Sequence, residues 1–336
     1  MRVGAMGDVL HAMPAVCALR KAHPQCSIGW VIEPRWLSLL KTVDATARGI
    51  GMPLVDHVYL APTKEWKKAP FSPSTLKDIA RLRQELLRDD YDLCIDMQGS
   101  IRSAIIGRMA GTAGFAGPAD PREAPAAWLY RQKIQTASPH VVDQGAELVS
   151  AALGETLQPQ QIELPIDDKA AAEIGARLGD HSKIILIAPG AGWGAKQWPA
   201  HQYGQVAAAL AKGGYRVLIN AYAPQDKLAN EVVQASGGKG EVFPCDMAQL
   251  IALTRRASLV IAGDTGPLHL AAALQRPVVA LFGPTDPARN GPYGTVSRVL
   301  RHGGDRRDHK RRSAPEAGLL EITVDEVVQA ASELLR

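Results

Sequence analysis

The chain has 336 residues, 46% of them hydrophobic and 21% charged, with a formal net charge of +4 at pH 7. That composition excludes a disordered or fibrous protein, and the modest positive charge excludes bulk nucleic-acid binding while leaving room for local basic patches. The length exceeds one ordinary core and implies two domains of about 150 residues each.

Apolar runs all fall short of the ~20 residues that span a bilayer, and no signal-peptide pattern opens the chain. Cys17, Cys26, Cys94 and Cys245 are scattered without CxxC spacing, so neither a zinc site nor a disulfide framework is expected, and a reducing cytoplasm fits.

In chain order, the first signal is "MGDVLHAMP" at 6–14. Gly4, Ala5 and Gly7 leave room for a ligand to approach the backbone, and Val9, Leu10, Met13, Val16 and Leu19 follow a helical repeat. Asp8 therefore sits at a helix start, either as a cap or as a functional acid. Only Met1–Val3 precede this turn.

"IGWVIE" (28–33) reads as a buried strand, and "KEWKK" (64–68) is a basic cluster around Trp66. A helix is expected over 74–89, then the strand "DLCIDM" (92–97), which runs into "DMQGSIRSA" (96–104), then a helix over 143–153. The polar stretch 154–181, with Pro159 and Pro165, separates two series of alternating strands and helices.

The second series holds the strands "KIILIAP" (183–189), "RVLINA" (216–221), "SLVIAGD" (258–264) and "PVVALFG" (277–283). Helices are expected over 168–178, 200–212, 225–236, 247–256 and 266–275. Unbroken apolar strands alternating with helices imply parallel sheets with right-handed crossovers. Ligands of such sheets bind at the carboxyl ends of the strands.

Three segments occupy those ends: "IAPGAGWGAKQWP" (187–199), "IAGDTGPLHLA" (261–271) and "LFGPTDP" (281–287). In the second, Asp264 ends a strand, Thr265 and Gly266 turn, Pro267 suits a first helical position, and His269 lies in the first turn. Such a helix start is an anion site suited to a diphosphate; the plainer reading is a capped strand–turn–helix junction. In the first, the glycines permit close approach and Lys196 supplies one cation, without the ending of a Walker A loop. No metal-ligand constellation stands out. The basic run "RHGGDRRDHKRR" (301–312), like "KEWKK", reads first as solvated surface.

Taken together and in this order, "MGDVLHAMPAV", "DMQGSIRSA", "PGAGWGAKQWP", "GDTGPLHLAAAL" and "LFGPTDPARNGPYG" resemble the lipopolysaccharide heptosyltransferases. "REAPAAWLYRQK" (122–133) and "KEWKKAPFS" (64–72) further resemble the type I enzymes, which add the first heptose to Kdo. The resemblance implies an α/β GT-B fold: two doubly wound Rossmann-like domains facing across a cleft. Residues 1–160 would bind acceptor and 161–336 would bind the ADP-sugar donor.

It implies an inverting, metal-independent transfer of L-glycero-D-manno-heptose from ADP-heptose to the Kdo/inner-core region, with no cofactor. Asp8 would be the catalytic base and Lys196 the cation on the leaving group. Asp264, Thr265, Gly266 and His269 would surround the donor, Asp264 touching heptose hydroxyls, with Asp226 near the ribose. Lys64, Lys67, Lys68 and Arg122 would meet the acceptor's carboxylates and phosphates. The partners implied are an ADP-sugar, a lipid A–Kdo/core acceptor and the inner-membrane surface, at which a cytoplasmic enzyme would work peripherally, and no nucleic acid. Two other classes compete: a sugar-nucleotide epimerase of similar fold, which needs no basic acceptor face, and a non-catalytic sugar-nucleotide binder, which has no use for Asp8 with Lys196.

Overall fold

The computed structural model describes residues 1–303 and 314–336, so most of the basic run at 301–312 lies outside the described residues. The chain divides into two compact units, Met1–Pro165 and Ile166–Arg336.

The second unit carries a six-stranded parallel sheet of β6 (Ile184–Ala188), β7 (Arg216–Ala221), β8 (Gly240–Pro244), β9 (Leu259–Gly263), β10 (Val278–Leu281) and β11 (Ser297–Leu300), after β1–β5 of the first unit. Their spatial order is β11-β10-β9-β6-β7-β8. The chain winds outward from β6 to β8, returns to β9 beside β6, and winds outward the other way, which is the doubly wound dinucleotide-type order with its switch point between β6 and β9. β6, β9 and β10 are buried at every residue, as strands covered on both faces must be. The helices of this unit are α6 (Asp168–Leu178), α7 (Ala200–Lys212), α8 (Lys227–Ala235), α9 (Met247–Arg256), α10 (Gly266–Ala273), α11 (Pro287–Asn290), α12 (Ala317–Glu321) and α13 (Val324–Leu334), numbered after the five of the first unit. Trp198 and Tyr203 meet edge to face in its core, 4.9 Å between ring centres, and the Trp198 indole N–H donates to Ile322 O at 3.2 Å.

The first unit has two parallel sheets, β1 (Gly29–Ile32) with β2 (His57–Leu60), and β3 (Leu93–Ile95), β4 (Gly114–Pro118) and β5 (Gln132–Ile134) in that order. Its helices are α1 (Met6–Ala22), α2 (Thr63–Lys68), α3 (Pro73–Arg88), α4 (Ile101–Met109) and α5 (Val141–Leu153). Met1–Val3 do not form a strand, yet they join the two sheets: Glu33 N donates to Val3 O at 3.0 Å, and Met97 N donates to Met1 O at 3.0 Å. Three residues thus do the bridging of a central strand. Trp66 is buried at 8% exposure among Val3, Val31, Tyr59, Leu82 and Ile106, so it is a core residue.

Candidate active site

Asp8 lies in the first turn of α1. Its Oδ2 accepts the Ala5 N–H at 3.1 Å, and its Oδ1 pairs with Arg2 Nη2 at 2.9 Å. Arg2 is fixed from both ends, since its Nη1 donates to Met97 O and its own carbonyl accepts from the Trp30 indole at 2.9 Å. Burial pushes the Asp8 pKa up, but the Arg2 charge and hydrogen bond, the Ala5 amide and the Arg122 charge outweigh it and hold the pKa below its ordinary value. Asp8 is thus an anchored carboxylate anion that still leaves 36% of its side chain exposed. The expectation that Gly4 makes room for a ligand needs correction: a Cβ there would stand 2.9 Å from the Trp36 indole nitrogen, so the space is filled by the protein itself. His11, one turn further along α1, meets the His140 ring edge-on with centres 5.9 Å apart.

The segment 96–104 braces this corner. Asp96 is fully buried and accepts from the Gln98 amide, the Ser103 hydroxyl and the Tyr130 hydroxyl, and the Gln98 side-chain oxygen accepts Val3 N–H at 2.8 Å. Gly99, at φ +67°, lets the backbone of Arg122 approach to 3.0 Å from where a Cβ would be, and its carbonyl accepts from Glu123 N at 2.9 Å. Arg122 is thereby brought within electrostatic reach of Asp8. Lys64, Lys67 and Lys68 are exposed on α2, whose first turn is held by buried Glu33 through Thr63 Oγ1 at 2.5 Å and Lys64 N at 3.0 Å. Lys68 pairs with Glu65 at 2.8 Å.

In the second unit the loops after β6, β9 and β10 converge on one buried carboxylate. Asp264 Oδ2 accepts from Lys196 Nζ and from Thr285 Oγ1, the latter at 2.7 Å, while Oδ1 faces His269 Nε2 at 3.1 Å. Burial opposes ionisation of Asp264, but the His269 bond and the Lys196 charge prevail and depress its pKa far below the ordinary carboxylate range. Lys196 also sits 5.2 Å from the centre of the Trp193 ring.

Glycines explain how the loop carrying Lys196 comes so close. A Cβ on Gly263 would stand 3.1 Å from Lys196 O, and one on Gly283 3.1 Å from Ala195 O. Gly190 and Gly192 face open space instead, the condition under which a ligand reaches the backbone. Thr265 takes the N-cap position of α10 without capping it, because its hydroxyl donates to Gly263 O at 3.2 Å. The start of α10, with Gly266 in its first turn, therefore offers a positive dipole end uncovered by any side-chain cap, beside the Lys196 ammonium.

The structure brings Lys196, Asp264, Thr265, Gly266 and His269 together at the switch point. Asp226 instead caps α8, its Oδ1 accepting Ala229 N–H at 3.1 Å. Thr285 and Arg2 escape sequence reasoning, although Thr285 stands in the quoted "LFGPTDP" directly after a strand. Among the described residues no group of three or more His, Cys, Asp or Glu side chains is placed to hold a metal ion, and no helix is long and apolar enough to cross a membrane.

The sheet order, with a cation and an uncapped helix at the switch point, defines a Rossmann-like unit built for an anionic nucleotide. Comparison with known proteins sharpens this. Lipopolysaccharide heptosyltransferase 1 of Escherichia coli K12 is 27% identical over 338 residues, covering 99% of this chain and 98% of that protein. The solved structure of E. coli heptosyltransferase WaaC with ADP superposes with a TM-score of 0.78 at 26% identity, covering 99% of this chain and 98% of that one. The same enzyme with ADP-2-deoxy-2-fluoro heptose gives 0.77 at 26%, with the same coverage. The family model of glycosyltransferase family 9 (heptosyltransferase) matches residues 79–317. The chain is a glycosyltransferase of the GT-B fold, and it belongs to glycosyltransferase family 9.

Proposed function

We propose that this chain transfers a heptose from ADP-heptose, with inversion, onto the Kdo region of the lipopolysaccharide inner core. The observation that carries the proposal is the buried Lys196–Asp264 pair beside the uncapped start of α10, in a chain that resembles, at near full length, a heptosyltransferase solved with ADP.

In this reading residues 166–336 hold the donor. The acceptor hydroxyl oxygen attacks the anomeric carbon while the bond from that carbon to the diphosphate oxygen breaks, and the electron pair leaves with ADP. Lys196 and the α10 dipole stabilise the charge that develops there. Asp264 orients Lys196 and offers its carboxylate to heptose hydroxyls in exchange for its present partners, with His269 alongside. Asp226 contacts the ribose from the start of α8.

Asp8 takes the proton of the attacking hydroxyl. A carboxylate held as a firm anion is a weak base, which suits a reaction whose centre is oxocarbenium-like: the hydroxyl becomes acidic only as its bond to carbon forms, and the proton moves late. Arg122 and the α2 lysines bind the acceptor's acidic groups within residues 1–165, and the lipid-linked acceptor places the enzyme at the inner-membrane surface on the cytoplasmic side.

The test incubates the purified chain with ADP-heptose and a Kdo–lipid A acceptor, with product mass and anomeric configuration read by mass spectrometry and NMR. One added heptose in the inverted configuration, formed equally with EDTA present, is expected. A retained configuration, strict metal dependence, or turnover of the donor alone to an epimer would contradict it.

A further inference from the structure

The exposed residues of α4 are Ile101, Arg102, Ile105 and Arg108, while Ser103, Ala104, Ile106 and Gly107 are buried. That is a stripe at i, i+1, i+4 and i+7, alternating two branched apolar side chains with two guanidinium groups, on a helix with no acidic residue. The two isoleucines are 39% and 47% exposed.

Two neighbouring elements extend the pattern. The 3-10 turn Ala124–Leu129 is tied to the start of α4 by Ile101 N–H donating to Glu123 Oε2 at 2.9 Å, and it carries Trp128, 81% exposed. α2 is tied to α4 by Arg102 Nη1 donating to Thr63 Oγ1 at 2.9 Å. The turn after α2 carries Phe71, 87% exposed, three residues beyond Lys68. A lone exposed apolar side chain is ordinary; these four, on adjoining elements and interleaved with cations, are not.

We propose that the outer stripe of α4, with Trp128 and Phe71, is the surface by which the chain docks onto an anionic lipid bilayer. Charge complementarity selects that occupant. Isoleucine, phenylalanine and tryptophan enter the boundary between headgroups and acyl chains, while arginine and lysine lie along their apolar stems and reach the phosphates. The inference rests on the proposed working place at a membrane surface, and it adds which residues make the contact.

The test floats the full chain with vesicles of phosphatidylcholine alone and of phosphatidylcholine mixed equally with phosphatidylglycerol. The wild type is expected to bind the anionic vesicles, less as salt rises, and to ignore the zwitterionic ones. The triple variant Ile101→Ser, Ile105→Ser, Trp128→Ser is expected to bind about tenfold more weakly or worse. Val296→Ser, which removes an exposed apolar side chain of the second unit, is expected to bind as wild type. Equal binding of the triple variant and the wild type, or equal affinity of the wild type for both vesicles, would overturn the proposal.

Transfer to a delipidated oligosaccharide acceptor is measured in parallel and should be unchanged in the triple variant. Vesicle binding as expected without any transfer by the wild type supports the docking surface and sinks the transferase reading instead. Brominated anionic lipids, mixed with unaltered protein, should quench tryptophan fluorescence, and no quenching would overturn the docking even if the triple variant failed to fold.

Discussion

Arg2 sets the protonation of Asp8, and it does so against burial, which on its own would raise the pKa above the ordinary 3.8. The lowered pKa keeps Asp8 ionised throughout the neutral range, and with Asp8 as the proposed base the acid limb of the rate profile should lie below the ordinary carboxylate value. Arg2→Met removes the opposing charge and leaves burial, so the Asp8 pKa rises and a larger fraction is protonated at any given acidic pH. The acid limb of kcat/KM, followed between about pH 4 and pH 8, should then move to higher pH, and kcat at the plateau should hold or rise as the base strengthens. An unmoved limb with lower kcat at every pH would make Arg2 a structural residue only. For Asp264 the sign is the same: its pKa is depressed, so the stability its ion pair adds is present above about pH 3.8 and is lost as pH falls below that.

At the scale of elements, the loop bearing Lys196 is held by what lies beneath it. Trp198 is wholly buried two residues on, and Gly263 and Gly283 let the backbone of Ala195 and Lys196 settle onto the ends of β9 and β10. Gly263→Ala puts a methyl 3.1 Å from Lys196 O, a tight contact that the loop relieves by shifting a few tenths of an ångström. Overpacking of this kind costs about 1–3 kcal/mol. ADP affinity, measured by titration calorimetry, should fall severalfold with the fold retained; unchanged affinity would free Lys196 from that geometry.

The same elements show what a sequence discloses. β6, β9 and β10 are legible because a strand covered on both faces is apolar throughout, and Lys196, Asp264 and His269 are legible because they follow such strands. β8, reading GEVFP, and β11, with two exposed residues, lack that signature because each lies at a sheet edge, and β4 hides two glycines and a proline in GFAGP. Arg2 and Thr285 act through contacts that no local pattern marks: Arg2 reaches Met97 O from 95 residues away, and Thr285 reaches Asp264 from 21. Gly4 misled for the same reason, since what surrounds it is decided by the fold.

At the scale of the whole molecule, each unit carries a distinct share of the proposed reaction, so perturbations should separate by unit. Neutralising Lys64, Lys67 and Lys68 together removes three exposed cations and should raise KM for acceptor while leaving KM for donor nearly unchanged. The wild-type acceptor KM should rise with salt, because exposed charges are screened beyond ~8–10 Å at physiological ionic strength. A rise in donor KM with the acceptor unaffected would reverse the assignment of the units.

The most direct measurement compares Asp8→Asn and Lys196→Met side by side for ADP affinity and for turnover at saturating donor. Asp8→Asn is expected to bind ADP as the wild type does while turnover falls by about two to four orders of magnitude, the usual contribution of a general base. Lys196→Met is expected to lose both, with affinity falling about tenfold or more as a charge-assisted contact disappears. Near-normal turnover in Asp8→Asn, or ADP affinity and turnover both intact in Lys196→Met, would contradict the division of the chemistry between the two units.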